Sequence, residues 1–144
     1  MKVKIDRYKK YRWYHKFLPY KDAQRVKVRI DPWDTWSMDH TLGYIVLPML
    51  KQLQDTAHGA PYVDDEDVPA YLRSTATPPK ENDWDTDDNH FKRWDWAMSE
   101  MIFAFETKAG ILQEDGFYAK SPEYQKRISN GFRLFGKYYE GLWD

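Results

Sequence analysis

Val26-Lys27-Val28-Arg29-Ile30-Asp31-Pro32-Trp33-Asp34-Thr35-Trp36-Ser37-Met38-Asp39-His40-Thr41-Leu42 is the stretch on which the fold turns. Its first part alternates apolar and basic residues, the period of a strand with one buried and one solvated face. Its last part opens a run in which Met38, Leu42, Ile45, Val46, Met49 and Leu53 recur at helical spacing. A strand therefore gives way to a helix close to Asp31. The strand pattern has a forerunner, because Lys2-Val3-Lys4-Ile5-Asp6 recurs as Lys27-Val28-Arg29-Ile30-Asp31. The two segments are expected to pair, with Val3, Ile5, Val26, Val28 and Ile30 pointing inward. The aromatic and basic stretch Arg7–Gln24 between them reads as their connection.

The first helix is expected from about Thr35 to about Ala57, with Asp34 or Thr35 capping its first-turn amides and Gly59 as a stop. Pro48 removes one backbone hydrogen bond and predicts a kink or a split. Tyr44 and Leu47 lie off the main stripe. A helix apolar on two sides is deeply buried or lies at a subunit interface. With the open edges of a short ribbon, this predicts a homo-oligomer. Residues 59–87 are acidic, contain Pro61, Pro69, Pro78 and Pro79, and read as a long loop with one helical turn at Val68–Arg73.

A second helix is expected from about Asp88 to about Lys108. Its stripe is Phe91, Trp94, Met98, Ile102 and Phe105; Asp95, Ser99 and Glu106 run along one edge, and Gly110 stops it. Ser121-Pro122-Glu123 starts a third, with serine capping and proline at the first helical position. Its buried face is read as Tyr124, Ile128, Phe132, Phe135, Tyr139 and Leu142, with Gly131, Gly136 and Gly141 marking close packing or a bend. The fold class is thus α+β, a single domain over 1–144: an N-terminal two-stranded ribbon followed by three main helices. Its parts are a basic ribbon region at 1–31, an acidic loop at 59–87 and a helical pair at 88–144.

Seven Trp, eleven Tyr and seven Phe make an aromatic share of 17%, enough either to fill a core or to form flat binding surfaces. There is no Cys, which removes disulfides, thiolate nucleophiles and cysteine metal sites. No apolar run reaches the ~18 residues of a membrane span, and no signal core follows Lys2, so a soluble intracellular protein is expected. A net charge of −1 conceals an asymmetry: residues 1–30 hold eleven Lys/Arg against Asp6 and Asp22, while residues 60–90 hold nine acids against Arg73 and Lys80. The basic arm either neutralises the acidic segment or binds an anion.

The motifs that carry chemistry are few. A helix start at Asp34–Ser37 can hold an anion on its open amides, and Trp33 and Trp36 can sandwich a flat base; the alternative is an ordinary cap with Trp33 stapled against the first turn. His40 follows Asp39 in the reverse of the order found in metal phosphohydrolases, and the four histidines lack ligand spacing. No bound metal and no cofactor are expected. A metal site would have to draw on distant acids such as Asp95, Glu100 or Glu106. Asp83-x-Asp85-x-Asp87 opens like a calcium loop but has Asp88 where glycine is needed and Trp94 where glutamate is needed. These acids, and Asp64-Asp65-Glu66-Asp67, read as solvated loops. Asn130–Tyr139 echoes an aromatic RNA-recognition strand, but its period is helical. No phosphate loop, dinucleotide fingerprint or nucleophile elbow is present.

Trp33-Asp-Thr-Trp-Ser-Met-Asp-His-Thr-Leu42, Leu50-Lys-Gln-Leu-Gln54 before His58-Gly59, Tyr62-Val-Asp-Asp-Glu-Asp-Val-Pro69 and Arg133-Leu-Phe-Gly-Lys-Tyr-Tyr-Glu-Gly-Leu-Trp143 resemble segments of a family of small tailed-phage proteins. The resemblance covers most of residues 26–144. Members are often longer, with extra sequence between the two strands and before the last helix. The family brings no catalytic residues. It implies a phage accessory protein acting in the cytoplasm of a bacterial host.

The expected function is accordingly a phage counter-defence protein that binds and sequesters a nucleotide-derived immune signal without catalysis. Trp33, Trp36, His40, Arg73 and Arg133 are the expected contacts: rings stack on a base, and cations meet phosphate. Partners are a small nucleotide-type ligand and further copies of the chain, with neither membrane nor nucleic acid. Two alternatives remain: a metal-dependent phosphohydrolase of a nucleotide, built on His40 with Asp39, Asp95 or Glu106, and an inhibitor that binds a host protein through the acidic loop.

Overall fold

Two short strands, β1 (Lys2–Ile5) and β2 (Val26–Arg29), pair antiparallel with Lys2 opposite Arg29, Val3 opposite Val28, Lys4 opposite Lys27 and Ile5 opposite Val26. The computed structural model describes residues 1–5, 13–17, 26–80, 82, 84–110 and 121–143. Among the described residues four helices follow the ribbon: α1 (Pro32–Trp36), α2 (Met38–Thr56), α3 (His90–Lys108) and α4 (Pro122–Lys137). The fold is α+β, and no helix among the described residues is long and apolar enough to cross a membrane. The chain forms two compact units, Met1–Met38 and Asp39–Asp144.

In the first unit the ribbon departs from expectation. Val3, Ile5, Val26, Val28 and Ile30 do not point into a core; they are 42–58% exposed. Alternation sorts side chains onto two faces, but four-residue strands in a two-stranded ribbon bring no layer to cover either. The cap also differs. Asp31 caps α1, Pro32 takes the first helical position, and the Asp31 N–H donates to the Asp34 carboxylate at 2.8 Å. The helical run breaks at Ser37, not at Pro48. Pro48 deprives the Tyr44 carbonyl of its partner, but both residues face water, which can hydrate that carbonyl and leave α2 a single element.

The second unit holds the core. α2 buries Gly43, Leu47 and Leu50, with Val46 and Leu53 half-buried. This corrects the expected stripe: Leu47 is inside, while Met38, Leu42 and Met49 are exposed. α3 buries Trp94, Met98, Ile102 and Phe105 as expected, adds Ala97, Met101 and Ala104, and leaves Phe91 outside. Its polar edge faces α2: Gln54 donates to Asp95 at 2.8 Å and to Ser99 at 2.9 Å, and Lys51 pairs with Glu106 at 2.5 Å.

Gly110, at φ 69°, ends α3 where a left-handed residue is needed. Ser121 caps α4 by accepting the Tyr124 N–H at 3.2 Å. α4 buries Tyr124, Ile128, Gly131 and Leu134, followed by Tyr138; Phe132 and Phe135 are half-buried and Tyr139 is exposed. The buried stripe lies one residue from the expected one because Gly131 sets the closest approach. A Cβ there would stand 2.3 Å from the Glu100 carbonyl oxygen and 2.6 Å from Ala104 Cβ.

Residues 59–87 are also more than a solvated loop. Three 3-10 turns (Asp65–Asp67, Ala70–Leu72 and Ser74–Ala76) punctuate them, the middle one where a turn was expected, and Val63, Val68 and Leu72 enter the core. The acids are used internally. Asp65 accepts from the Ser74 amide and hydroxyl. Asp67 is buried and accepts from Arg133 at 2.7 Å, Lys137 at 2.6 Å and the Tyr138 hydroxyl at 2.6 Å. Asp87 pairs with both terminal nitrogens of Arg93, which also donates to the Leu72 carbonyl at 3.1 Å. Solvation thus fails as the account of Asp65, Asp67 and Asp87.

Candidate ligand-binding surface

The register of the ribbon decides its chemistry. Residues directly opposite in an antiparallel pair share a face. One face therefore carries Lys2, Lys4, Lys27 and Arg29, and the other Val3, Ile5, Val26 and Val28. All eight are exposed. Like charges set directly opposite each other destabilise a ribbon, and Lys2–Arg29 and Lys4–Lys27 are two such pairs. Asp31 stands 4.0 Å from Arg29 Nε.

α1 begins three residues after β2, which sets its rings at the end of the ribbon that carries Lys2 and Arg29. Trp33 and Trp36 are 75% and 79% exposed and stack on each other, with centroids 5.5 Å apart and planes 13° from parallel. A base needs about 7 Å between two flanking rings, twice the contact distance between carbon atoms, so the rings do not form a sandwich. They form a closed stack whose outer faces meet water. The staple alternative for Trp33 fails on the same exposure. The expected anion cradle at the start of α1 is corrected too. The Asp34 carboxylate occupies that position, bonded to the Asp31 amide and 2.8 Å from the Met1 ammonium. These contacts, the ammonium first and the amide second, hold Asp34 below the usual carboxylate range and raise the Met1 amine.

The unit boundary divides the expected contacts. Trp33 and Trp36 belong to Met1–Met38; His40, Arg73 and Arg133 belong to Asp39–Asp144. His40 is exposed on the first turn of α2, and Arg73 is exposed between two 3-10 turns. Arg133 is already engaged: its guanidinium donates to Asn130 Oδ1 at 2.8 and 3.1 Å and pairs with Asp67. Sequence reasoning missed the cationic quartet. The signal was there in the alternation, which places a cation at every second position of both strands.

The acids of the hydrolase alternative are each held within the second unit. Asp39 pairs with Lys108 at 3.3 Å and is lowered by the His40 amide and by Lys108. Asp95 binds Gln54, Glu106 binds Lys51, and Glu100 receives Arg127 Nε at 3.0 Å. Among the described residues no three of His, Asp and Glu stand together as a metal-binding group.

No protein-family model, curated protein or solved structure matches this chain.

Proposed function

We propose that the chain binds a nucleotide-type ligand without transforming it. Phosphate meets the ribbon's Lys2, Lys4, Lys27 and Arg29, and a base extends the Trp33–Trp36 stack. The observation that carries this reading is the exposed basic face of the ribbon beside two exposed, stacked indoles. An anion on that face meets Lys2 and Arg29, which stand directly opposite each other. Stacking on an outer indole face supplies about 1–3 kcal/mol for a base of any sequence. Neither interaction needs a nucleophile or a general base. With the resemblance to small tailed-phage proteins, the reading becomes sequestration of a nucleotide-derived immune signal in a bacterial cytoplasm. His40, Arg73 and Arg133 belong to the other unit and are set aside, Arg133 also because Asp67 and Asn130 hold it.

The hydrolase alternative is disfavoured by the engagement of Asp39, Asp95 and Glu106 with Lys108, Gln54 and Lys51. The acidic-loop alternative is disfavoured by the internal use of Asp65, Asp67 and Asp87.

Calorimetric titration with a panel of cyclic mono-, di- and trinucleotides tests the proposal, with mass spectrometry of the ligand released on denaturation. Saturable binding and intact ligand are expected. A Lys4→Glu/Lys27→Glu variant should bind at least about 10-fold more weakly, and added salt should weaken the parent. Binding to no member of the panel, or release of an altered ligand, overturns it.

A further inference from the structure

The second unit carries an apolar surface that its own core does not use. α2 buries the stripe Gly43, Leu47 and Leu50, and leaves Leu42, Ile45 and Met49 on a second stripe at alternating four- and three-residue spacing. That spacing is the seam of a helix pair. Leu42 is 44% exposed and Met49 66%. The second half of α2 also forms one wall of a groove of about 700 Å³. Its other wall comes from Phe135, Tyr139 and Trp143. No charged side chain lines this groove; Gln52 and Thr56 are its polar members. Met, Tyr and Trp in an uncharged hollow are the composition of an interface centre.

We infer that this surface is the homodimer interface and that its occupant is α2 of a second copy, running antiparallel. The ridge lies on the first half of α2 and the groove beside its second half. A two-fold axis near Met49 places each copy's Leu42 and Ile45 in the other's groove. One operation thus covers both apolar surfaces and closes the assembly at two. Charge agrees with this direction. The last turn of α2 contains Asp55 and no basic residue, so a carboxylate sits where its own helix dipole opposes it. An antiparallel mate brings the positive end of a helix alongside, where the first-turn acid Asp39 is already paired with Lys108. A parallel mate would instead set Asp55 against Asp55. This pairing uses the second unit alone and stands whether or not the ribbon binds a nucleotide.

Single-cysteine cross-linking tests it, and the natural absence of cysteine makes each introduced thiol unique. Met49→Cys sits near the axis and should form an inter-copy disulfide, since the bridge requires Cα atoms within about 7 Å. Leu42→Cys lies far from its counterpart across the axis and should not. Sedimentation of the parent should show monomer and dimer exchanging in the micromolar range. Met49→Lys, at an exposed position that does not disturb the fold (circular dichroism verifies this), should weaken the dimer by at least about 30-fold. A parent that stays monomeric at ~200 µM overturns the inference. So does equal cross-linking at Leu42→Cys, which marks a parallel pair, or undiminished dimer in Met49→Lys.

Discussion

The two units of this chain treat their polar groups in opposite ways. In Asp39–Asp144 the acids beside the core are consumed by neighbours: Asp87 by Arg93, Asp67 by Arg133, Lys137 and Tyr138, and Glu100 by Arg127. In Met1–Met38 the ribbon turns four cations to water on one face and four branched apolar residues on the other. The first arrangement stabilises the chain from within. The second sets its side chains on an exposed surface. Residues that hold the fold and residues available for binding are therefore separated along the sequence, and substitution should distinguish them.

The largest effect is expected at Asp87. Arg93 is 1% exposed, and removing the Asp87 carboxylate leaves a buried guanidinium donating to the Leu72 carbonyl. Asp87→Ala should cost about 3–5 kcal/mol of unfolding free energy by urea titration. The same pair gives a pH signature. Arg93 holds Asp87 below its ordinary 3.8, and Ser74 does the same for Asp65. Burial pushes Asp67 up, but Lys137, Tyr138 and Arg133 outweigh it and leave it lowered as well. Carboxylates lowered in the folded state stabilise it above their unfolded pKa and lose that contribution as pH falls through the folded value. Parent stability should thus be level above about pH 5 and fall below about pH 4, with a shallower acid limb in Asp87→Ala. An acid limb of unchanged slope in the variant would remove Asp87 from this account.

A smaller loss is expected at Gly131, where a methyl group meets the Glu100 carbonyl at 2.3 Å. Gly131→Ala gains helix propensity but must push α3 and α4 apart, a net cost of about 1–3 kcal/mol. A variant as stable as the parent would show that the helices separate freely. The smallest effect belongs to the first unit. Trp36→Ala removes a ring 79% exposed and should change stability by no more than about 0.5 kcal/mol, while reducing nucleotide affinity. A large drop in melting temperature would place this ring in the fold and erase the contrast between the units.

Much of this was legible in the residues. Period two located both strands, Ser121-Pro122-Glu123 located the start of α4, and Gly110 located the end of α3. What failed was the assignment of faces. The α2 pattern contains two apolar stripes, and spacing alone ranks them by bulk; burial instead follows the face on which Gly43 meets Ala109. On α4 the same reasoning chose Phe132 and Tyr139 over Gly131 and Leu134. Strand alternation identified two ribbon faces correctly, but no local pattern states whether anything lies against the apolar one. The acidic residues were misread for a related reason: Asp67 and Arg133 are 66 positions apart, and only the folded chain shows them bonded. At the candidate surface, the prominence of Trp33 and Trp36 and the alternation of cations along both strands were visible from sequence, while the cross-strand pairing of those cations needed the register.

The segment between α2 and α3 has a consequence for how this protein can change over generations. Its prolines and acids give it the composition of a linker, the kind of place where lineages add or lose residues. But Asp65 reaches forward to Ser74, Asp64 and Asp67 reach across to Lys137 and Tyr138, and Leu72 receives Arg93. One residue gained or lost between Asp64 and Ser74 would shift these attachments out of step and draw Val68 or Leu72 from the core. Length is therefore as constrained here as inside a helix.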